Sequence, residues 1–247
     1  MSGKTITRII IAALAGITLA LLAVLVIGPR ILLPALPPAP RIDIERGTMP
    51  AGIVGFEERI RSNESDNLVG SGFLLELPNG DVIGVTTAHG TGLAPANSIT
   101  FKIAAEDDPI ATFAEDYTLR GRARNDQDMT VDYVLLQPDV TPHAVLVLQP
   151  DPRGAPQHGE RVSLYSGLGN GSGNQWILQG TVESVDQQGA WIRMDEIFAP
   201  GLMSGSPVIS QHSGRVVGMA IAVRPNLGAI SIGINPIDAI INHALTE

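Results

Sequence analysis

Pro200-Gly-Leu-Met-Ser204-Gly-Ser-Pro-Val208 sets one serine among small residues immediately before an apolar run, and the rest of the chain is read outward from it. Gly, Ser and Pro are ordinary turn residues, so taken alone this is a tight turn feeding a strand. On both sides the apolar residues recur with a period nearer two than 3.6. Gly72-Phe-Leu-Leu-Glu-Leu77, Asp81-Val-Ile-Gly-Val-Thr-Thr87, Val131-Asp-Tyr-Val-Leu-Leu136, Arg161-Val-Ser-Leu-Tyr165, Gly180-Thr-Val-Glu-Ser-Val185, Ala190-Trp-Ile-Arg-Met194 and Gly214-Arg-Val-Val-Gly-Met-Ala-Ile221 read as short strands between turn signals. Pro78-Asn-Gly80 is a hairpin signal, and Gln187-Gln-Gly189 a weaker one. Beyond one transmembrane helix at the amino end, a helix is predicted only near the end of the chain, over roughly Pro236 to Leu245, with Pro at its start and Asp238 in its first turn. The expectation is an all-β fold of antiparallel barrels with one short terminal helix.

Composition supports that class and removes others. The chain has 247 residues, 44% apolar and 17% charged, which suits one ordinary globular domain plus something small. With 27 Gly, 18 Pro and 4% aromatic content, turn-bounded strands are favoured over long helices. The net charge of −9 offers no basic field for phosphate backbones, so nucleic acid is not an expected partner. The absence of cysteine removes disulfides, thiolate catalysis and Cys-ligated zinc together.

Three segments carry chemistry. Val85-Thr-Thr-Ala-His89-Gly90 ends a buried-type strand in a histidine, whose ordinary pKa near 6.5 suits a base. Thr130-Val-Asp132-Tyr-Val-Leu-Leu136 opens an apolar strand with an acid, and Ser204 lies in the turn already quoted. Each has a bland reading by itself, as a structural histidine, a strand-end acid and a turn serine. Together they complement one another. A serine hydroxyl attacks poorly until an imidazole takes its proton, and that imidazole needs an acid to fix its tautomer and stabilise its charged form.

The chain order His89, Asp132, Ser204 resembles that of the chymotrypsin-like (trypsin-like) serine peptidases. Val85-Thr-Thr-Ala-His89 is similar to the "TAAH" box of the cysteine-free HtrA-type protease domain, Val131-Asp132-Tyr-Val-Leu-Leu136 to its acid-bearing strand, and Ser204-Gly-Ser-Pro-Val208 to its serine box. Gly159-Glu-Arg-Val-Ser-Leu-Tyr-Ser-Gly167, Gln179-Gly-Thr-Val-Glu-Ser184, Trp191-Ile-Arg-Met-Asp195 and Ser231-Ile-Gly-Ile-Asn-Pro236 follow in the order of that family's second barrel. The resemblance runs over about Val69 to Pro236. It implies two six-stranded antiparallel barrels, a triad in the cleft between them, and hydrolysis of protein or peptide substrates through an acyl-enzyme, with no cofactor or metal. A PDZ domain commonly follows the HtrA-type protease; none is expected after the terminal helix here.

The family's serine follows Gly-x, whereas here Gly201 lies one place further back, in Gly201-Leu202-Met203-Ser204. Either Leu202 takes the glycine position or the loop holds one extra residue. The oxyanion hole is therefore expected from backbone N–H groups among Leu202, Met203 and Ser204. Leucine resists the positive φ that glycine allows. A catalytically idle trypsin-like fold serving as a binding or assembly subunit is the alternative. The resemblance also puts the residue six before the serine at the base of the primary pocket. That residue is Phe198, or Ile197 if the loop is longer, with Ala220 and Ala222 completing the expected lining. Such a pocket is apolar and implies cleavage after small or medium aliphatic residues.

Ile9 to Gly28 runs without a charge, flanked by Lys4 and Arg8 before it and Arg30 after it. It is longer than the apolar region of about 7 to 15 residues in a cleaved signal, and no good small-x-small site follows. It is read as an uncleaved membrane anchor over residues 1–30 with a cytoplasmic amino end. A proline-rich spacer over 31–48 and a protease domain over 49–247, periplasmic or at the cell surface, complete the expected organisation. Other tempting features are set aside. Gly167-Leu-Gly-Asn-Gly-Ser-Gly173 precedes a strand, not a phosphate-holding helix. His143, His158, His212 and His243 lack metal-ligand spacing, Glu106-Asp-Asp108 reads as a solvated loop, and Asp126 and Asp128 precede the strand that Asp132 opens.

Overall fold

The computed structural model describes residues 16–18, 35–62, 65–91, 98–113, 120–122, 129–169, 175–226 and 228–246. The expected anchor over residues 1–30 lies outside them, apart from three helical residues at 16–18. Among the described residues no helix is long and apolar enough to cross a membrane.

Fourteen strands are described, in two sets. The first holds β1 (Phe56–Ser62), β2 (Ser65–Glu76), β3 (Val82–Thr86), β4 (Ser98–Lys102), β5 (Pro109–Phe113), β6 (Arg120–Arg122), β7 (Tyr133–Leu136) and β8 (Val147–Leu148). They follow the order β5-β4-β1-β2-β3-β7-β6, with β8 joined in parallel to β2. Eight strands with one parallel pair stand where six antiparallel ones were expected. One of the two additional strands, β8, is two residues long and follows a 3₁₀ turn, Ala144–Leu146, which lays it beside β2. The second set is β9 (Arg161–Gly169), β10 (Gln175–Asp186), β11 (Gly189–Met194), β12 (Pro207–Ser210), β13 (Val216–Asn226) and β14 (Ala229–Pro236). It closes as a six-stranded antiparallel barrel in the order β10-β11-β14-β13-β12-β9. Both hairpins fall at the turn signals: Pro78-Asn-Gly80 joins β2 to β3, and Gln187–Gly189 joins β10 to β11, with Gly189 at φ 141°.

The Phe73–Leu75 stretch of β2 runs apolar without alternation because it is covered on both faces. Its Leu74 packs in the first barrel with Phe56, Phe101, Phe113, Val134 and Leu136. The intervening Phe73 and Leu75 face a second apolar cluster that joins the halves, where Val85, Tyr133 and Leu135 meet Tyr165, Ile209, Met219 and Ile221. β7 splits the same way, with Val134 and Leu136 on one side and Tyr133 and Leu135 on the other. Side chains that alternate across a strand thus build two cores from one run. Gly72 lets the Phe101 ring lie flat against β2, since a Cβ there would come within 2.3 Å of it.

The terminal helix is found over α2 (Ile237–Thr246), numbered after a short turn, α1 (Ala88–Thr91), described below. Its Ile237, Ile240 and Ala244, three and four residues apart, bury into the joint cluster, while Asp238 sits in its first turn. The joint cluster is what fixes the two barrels relative to each other, and the cleft opens beside it.

Candidate active site

His89 belongs to α1, the turn that directly follows β3. Asp132 sits between a 3₁₀ turn, Met129–Val131, and the first residue of β7. Because β3 pairs with β7, the histidine and the acid end up side by side. His89 Nδ1 lies 2.6 Å from Asp132 Oδ2, and the His89 backbone N–H donates to the other carboxylate oxygen at 3.1 Å. The Asp132 side chain is fully buried, while the imidazole is 42% exposed. A carboxylate only accepts hydrogen bonds, so the short contact puts the proton on Nδ1 and leaves Nε2 with its lone pair.

Ser204 comes from the other barrel, in the loop before β12. The loop is a pair of tight turns: Met203 N–H donates to Pro200 O at 3.3 Å, and Ser206 N–H to Met203 O at 3.0 Å. Strand β2 of the first barrel holds it from outside. The Ser71 amide donates to Ser204 O at 2.9 Å and the Ser71 hydroxyl to Leu202 O at 3.0 Å. Gly205 follows the serine at φ 94°, where a Cβ would come within 1.7 Å of Ser71 O, so only glycine lets the loop approach the strand this closely. Among the described residues the Ser204 hydroxyl makes no hydrogen bond, an arrangement that commonly tightens once substrate is present.

His89 and Ser204 line one cleft of about 510 Å³, together with Trp191, Pro200, Met203, Ala220, Ile221, Ala222, Val223, Arg224 and Ile232. Ala220 and Ala222 are therefore in the lining, but neither Phe198 nor Ile197 is. Phe198 is buried in the core of the second barrel with its ring edge-on to Trp176, 6.0 Å between centroids. Ile197 is 69% exposed. The resemblance put one of these two at the pocket base; here Phe198 packs into the barrel core and Ile197 lies at the surface. At the rim, Arg224 stacks over Trp191 at 4.5 Å and pairs with Glu183 at 2.8 Å.

Leu202 has a left-handed backbone, φ 62°, the region that glycine favours. Its carbonyl is held by Ser71, while its own N–H and that of Ser204 have no hydrogen-bond partner among the described residues. The Met203 amide is taken by Pro200 and its side chain is buried, which removes Met203 from the three expected donors. Of the residues set aside earlier, Asp126 and Asp128 lie outside the described residues. His212 bonds Ile44 O at 2.8 Å, and His243 stacks on Tyr133 at 4.5 Å.

One group at the site was not anticipated. Glu58, in the middle of β1, is completely buried behind the histidine turn. Thr86 Oγ1 and Thr91 Oγ1 each lie 2.6 Å from one of its oxygens. Burial pushes its carboxyl up to about 7, against the two hydroxyls and His89 in its protonated form, which pull it down. A weak signal did exist, for Phe56-Glu-Glu-Arg-Ile-Arg alternates, but with a glutamate at an inward position.

The comparisons with known proteins bear on the family and the fold. Two packed β-barrels with a histidine from one and a serine from the other lining one cleft, the histidine bonded to a buried acid, are the arrangement of the chymotrypsin-like class of serine peptidases. The model of the trypsin-like peptidase domain matches residues 70–219, and the chain belongs to that family, which carries a peptidase function in general. Solved structures share the fold. A serine endoprotease from Yersinia pestis is 18% identical with a TM-score of 0.52, over 79% of this chain and 62% of its own. A thermostable serine protease, AL20, from an extremophilic microorganism is 14% identical with a TM-score of 0.55, over 79% of this chain and 99% of its own. Human heparin binding protein is 13% identical with a TM-score of 0.56, over 84% and 96%. No curated protein sequence matches the chain.

The strained loop residue makes a specific prediction. A left-handed backbone costs a non-glycine residue roughly 1–2 kcal/mol, and Leu202 is half exposed, so little packing offsets it. In urea unfolding, Leu202→Gly should be neutral or stabilising by up to about 1 kcal/mol, whereas Leu202→Val should destabilise by about 1 kcal/mol or more. A loss beyond about 1 kcal/mol in Leu202→Gly would show that the side chain, not the backbone, dominates at this position.

Proposed function

We propose that the protein is a membrane-anchored serine endopeptidase that works outside the cytoplasm. Ser204 is the nucleophile, His89 its general base and Asp132 the acid that orients the imidazole. The observation that carries this is the 2.6 Å bond from His89 Nδ1 to the buried Asp132, with Ser204 across the same cleft. In the reaction His89 Nε2 takes the Ser204 proton as Oγ attacks the scissile carbonyl. The proton then passes to the leaving amine, which yields an acyl-enzyme, and water repeats the sequence to release the acid. The developing oxyanion accepts hydrogen bonds from the N–H groups of Leu202 and Ser204. The left-handed backbone of Leu202 favours this over an idle fold used for binding or assembly, since the leucine adopts the conformation that it was expected to resist.

The substrate is a protein or peptide. The apolar walls given by Ala220, Ala222, Val223 and Ile232 favour small or medium aliphatic side chains. A basic residue would find no free counter-charge there, because Glu183 is already paired with Arg224, and Arg224 itself repels it. The anchor is the apolar run Ile9 to Gly28, and its flanking charges direct the amino end to the cytoplasm. The chain without its first thirty residues keeps 13 basic against 25 acidic side chains, so the domain stands off anionic lipid on its proline spacer.

Three outcomes are expected. Ser204→Ala and His89→Ala should abolish peptide hydrolysis with the fold intact, and Asp132→Asn should lower kcat on the order of 10⁴ through the wrong imidazole tautomer. Undiminished turnover by Ser204→Ala would remove the serine from this role. A peptide-library profile should show cleavage after Ala, Val or Leu; dominant cleavage after Arg or Lys would contradict the pocket. A reporter fused after Glu247 should be active outside the cytoplasm and stay with the membrane after a carbonate wash. A mature form beginning near Arg41 would mean that the apolar run is a cleaved signal.

A further inference from the structure

Glu58 is a buried ionisable group that the mechanism above does not use, and its surroundings can be counted in protons. Thr86 Oγ1 lies 2.6 Å from Glu58 Oε2 and 2.8 Å from Ser71 O. Thr91 Oγ1 lies 2.6 Å from Glu58 Oε1 and 2.8 Å from Thr87 O. These are four short oxygen–oxygen contacts, yet the two hydroxyls supply only one proton each. With Glu58 ionised, two contacts have no proton between them, and a carboxylate sits in a pocket without a cation of its own. With Glu58 protonated, its O–H donates to one threonine, that threonine passes its proton to a backbone carbonyl, and three of the four contacts are made.

The network also links the two halves of the site. On one side Thr91 closes the α1 turn that carries His89. On the other, Thr86 holds Ser71 O, and Ser71 grips the serine loop through Ser204 O and Leu202 O. We infer that Glu58 is a positioning residue that acts as a neutral carboxylic acid, tying the His89 turn to the Ser204 loop through Thr91 and through Thr86 and Ser71. This rests on the assignment of Ser204 and His89 to the reaction.

Among the described residues the groups that face Glu58 are few. β2 presents Gly70 and Ser71, β4 presents Phe101, β3 presents Thr86, and α1 presents His89 and Thr91. His89 is the one titratable side chain among them, and its own partner is Asp132. The neighbours Glu57 and Arg59 alternate to the other face of β1, where they pair with each other. A positive His89 would favour ionised Glu58, so loss of the Glu58 proton alters the alignment of the imidazole.

The test uses the full-length protein. The infrared difference spectrum between wild type and Glu58→Gln, taken below neutrality, should show the carbonyl band of a neutral carboxyl group, fading as the pH rises through about 7. Labelling by a fluorophosphonate probe should persist in Glu58→Gln, whose amide both donates and accepts, and should slow about tenfold in Glu58→Ala. The ratio of the Glu58→Gln rate to the wild-type rate should climb severalfold between about pH 6 and about pH 8 as wild type loses its proton. Thr91→Val, which keeps shape and removes one hydroxyl, should also slow labelling and serves if the Glu58 variants do not fold. Absence of the neutral carboxyl band, a ratio independent of pH, or wild-type labelling by Glu58→Ala or Thr91→Val would each overturn the inference. Wild type that takes up no label would instead overturn the Ser204 assignment, and the infrared band would still decide the state of Glu58.

Discussion

Ser71 makes two hydrogen bonds across the boundary between the barrels, from its amide to Ser204 O and from its hydroxyl to Leu202 O. The functional arrangement depends on them. His89 and Asp132 are held within the first barrel by the pairing of β3 with β7, and Ser204 within the second by the turns before β12. Neither barrel contains the whole constellation. Errors of about an ångström between such groups cost orders of magnitude in rate, so the registration of one barrel on the other is itself part of the site.

Two kinds of interaction share that registration. The joint apolar cluster, from Phe73 and Tyr133 on one side to Met219 and Ile221 on the other, supplies attraction without direction. The polar network through Ser71, Thr86, Glu58 and Thr91 supplies direction. It carries a cost, because a carboxyl group is kept from water to serve it. The small residues around it follow from the same crowding: Gly205 under Ser71 O, and Gly70 beside the Glu58 carboxyl.

Much of the fold was legible because doubly covered strands announce themselves. Gly72–Leu77, Val131–Leu136 and Arg161–Tyr165 read as strands for the reason that they lie between two cores. The terminal helix was legible from Pro236 at its start and Asp238 in its first turn. β1 was hidden by its inward Glu58, and β8 by being two residues long. The juxtaposition of His89 with Asp132 could be expected from chemical complementarity. The pocket could not be counted from Ser204, because the path of 197–203 depends on where Phe198 finds its aromatic partner, Trp176, on another strand. The conformation of Leu202 was equally invisible, since Ser71 from another strand holds its carbonyl.

The most direct measurement is to react the full-length protein with a fluorophosphonate and locate the adduct by peptide mass mapping. A barrel-spanning site with an activated hydroxyl predicts a single adduct on Ser204, absent when His89 is replaced by Ala. An unmodified protein, or an adduct carried by Ser206 or another serine, would contradict it.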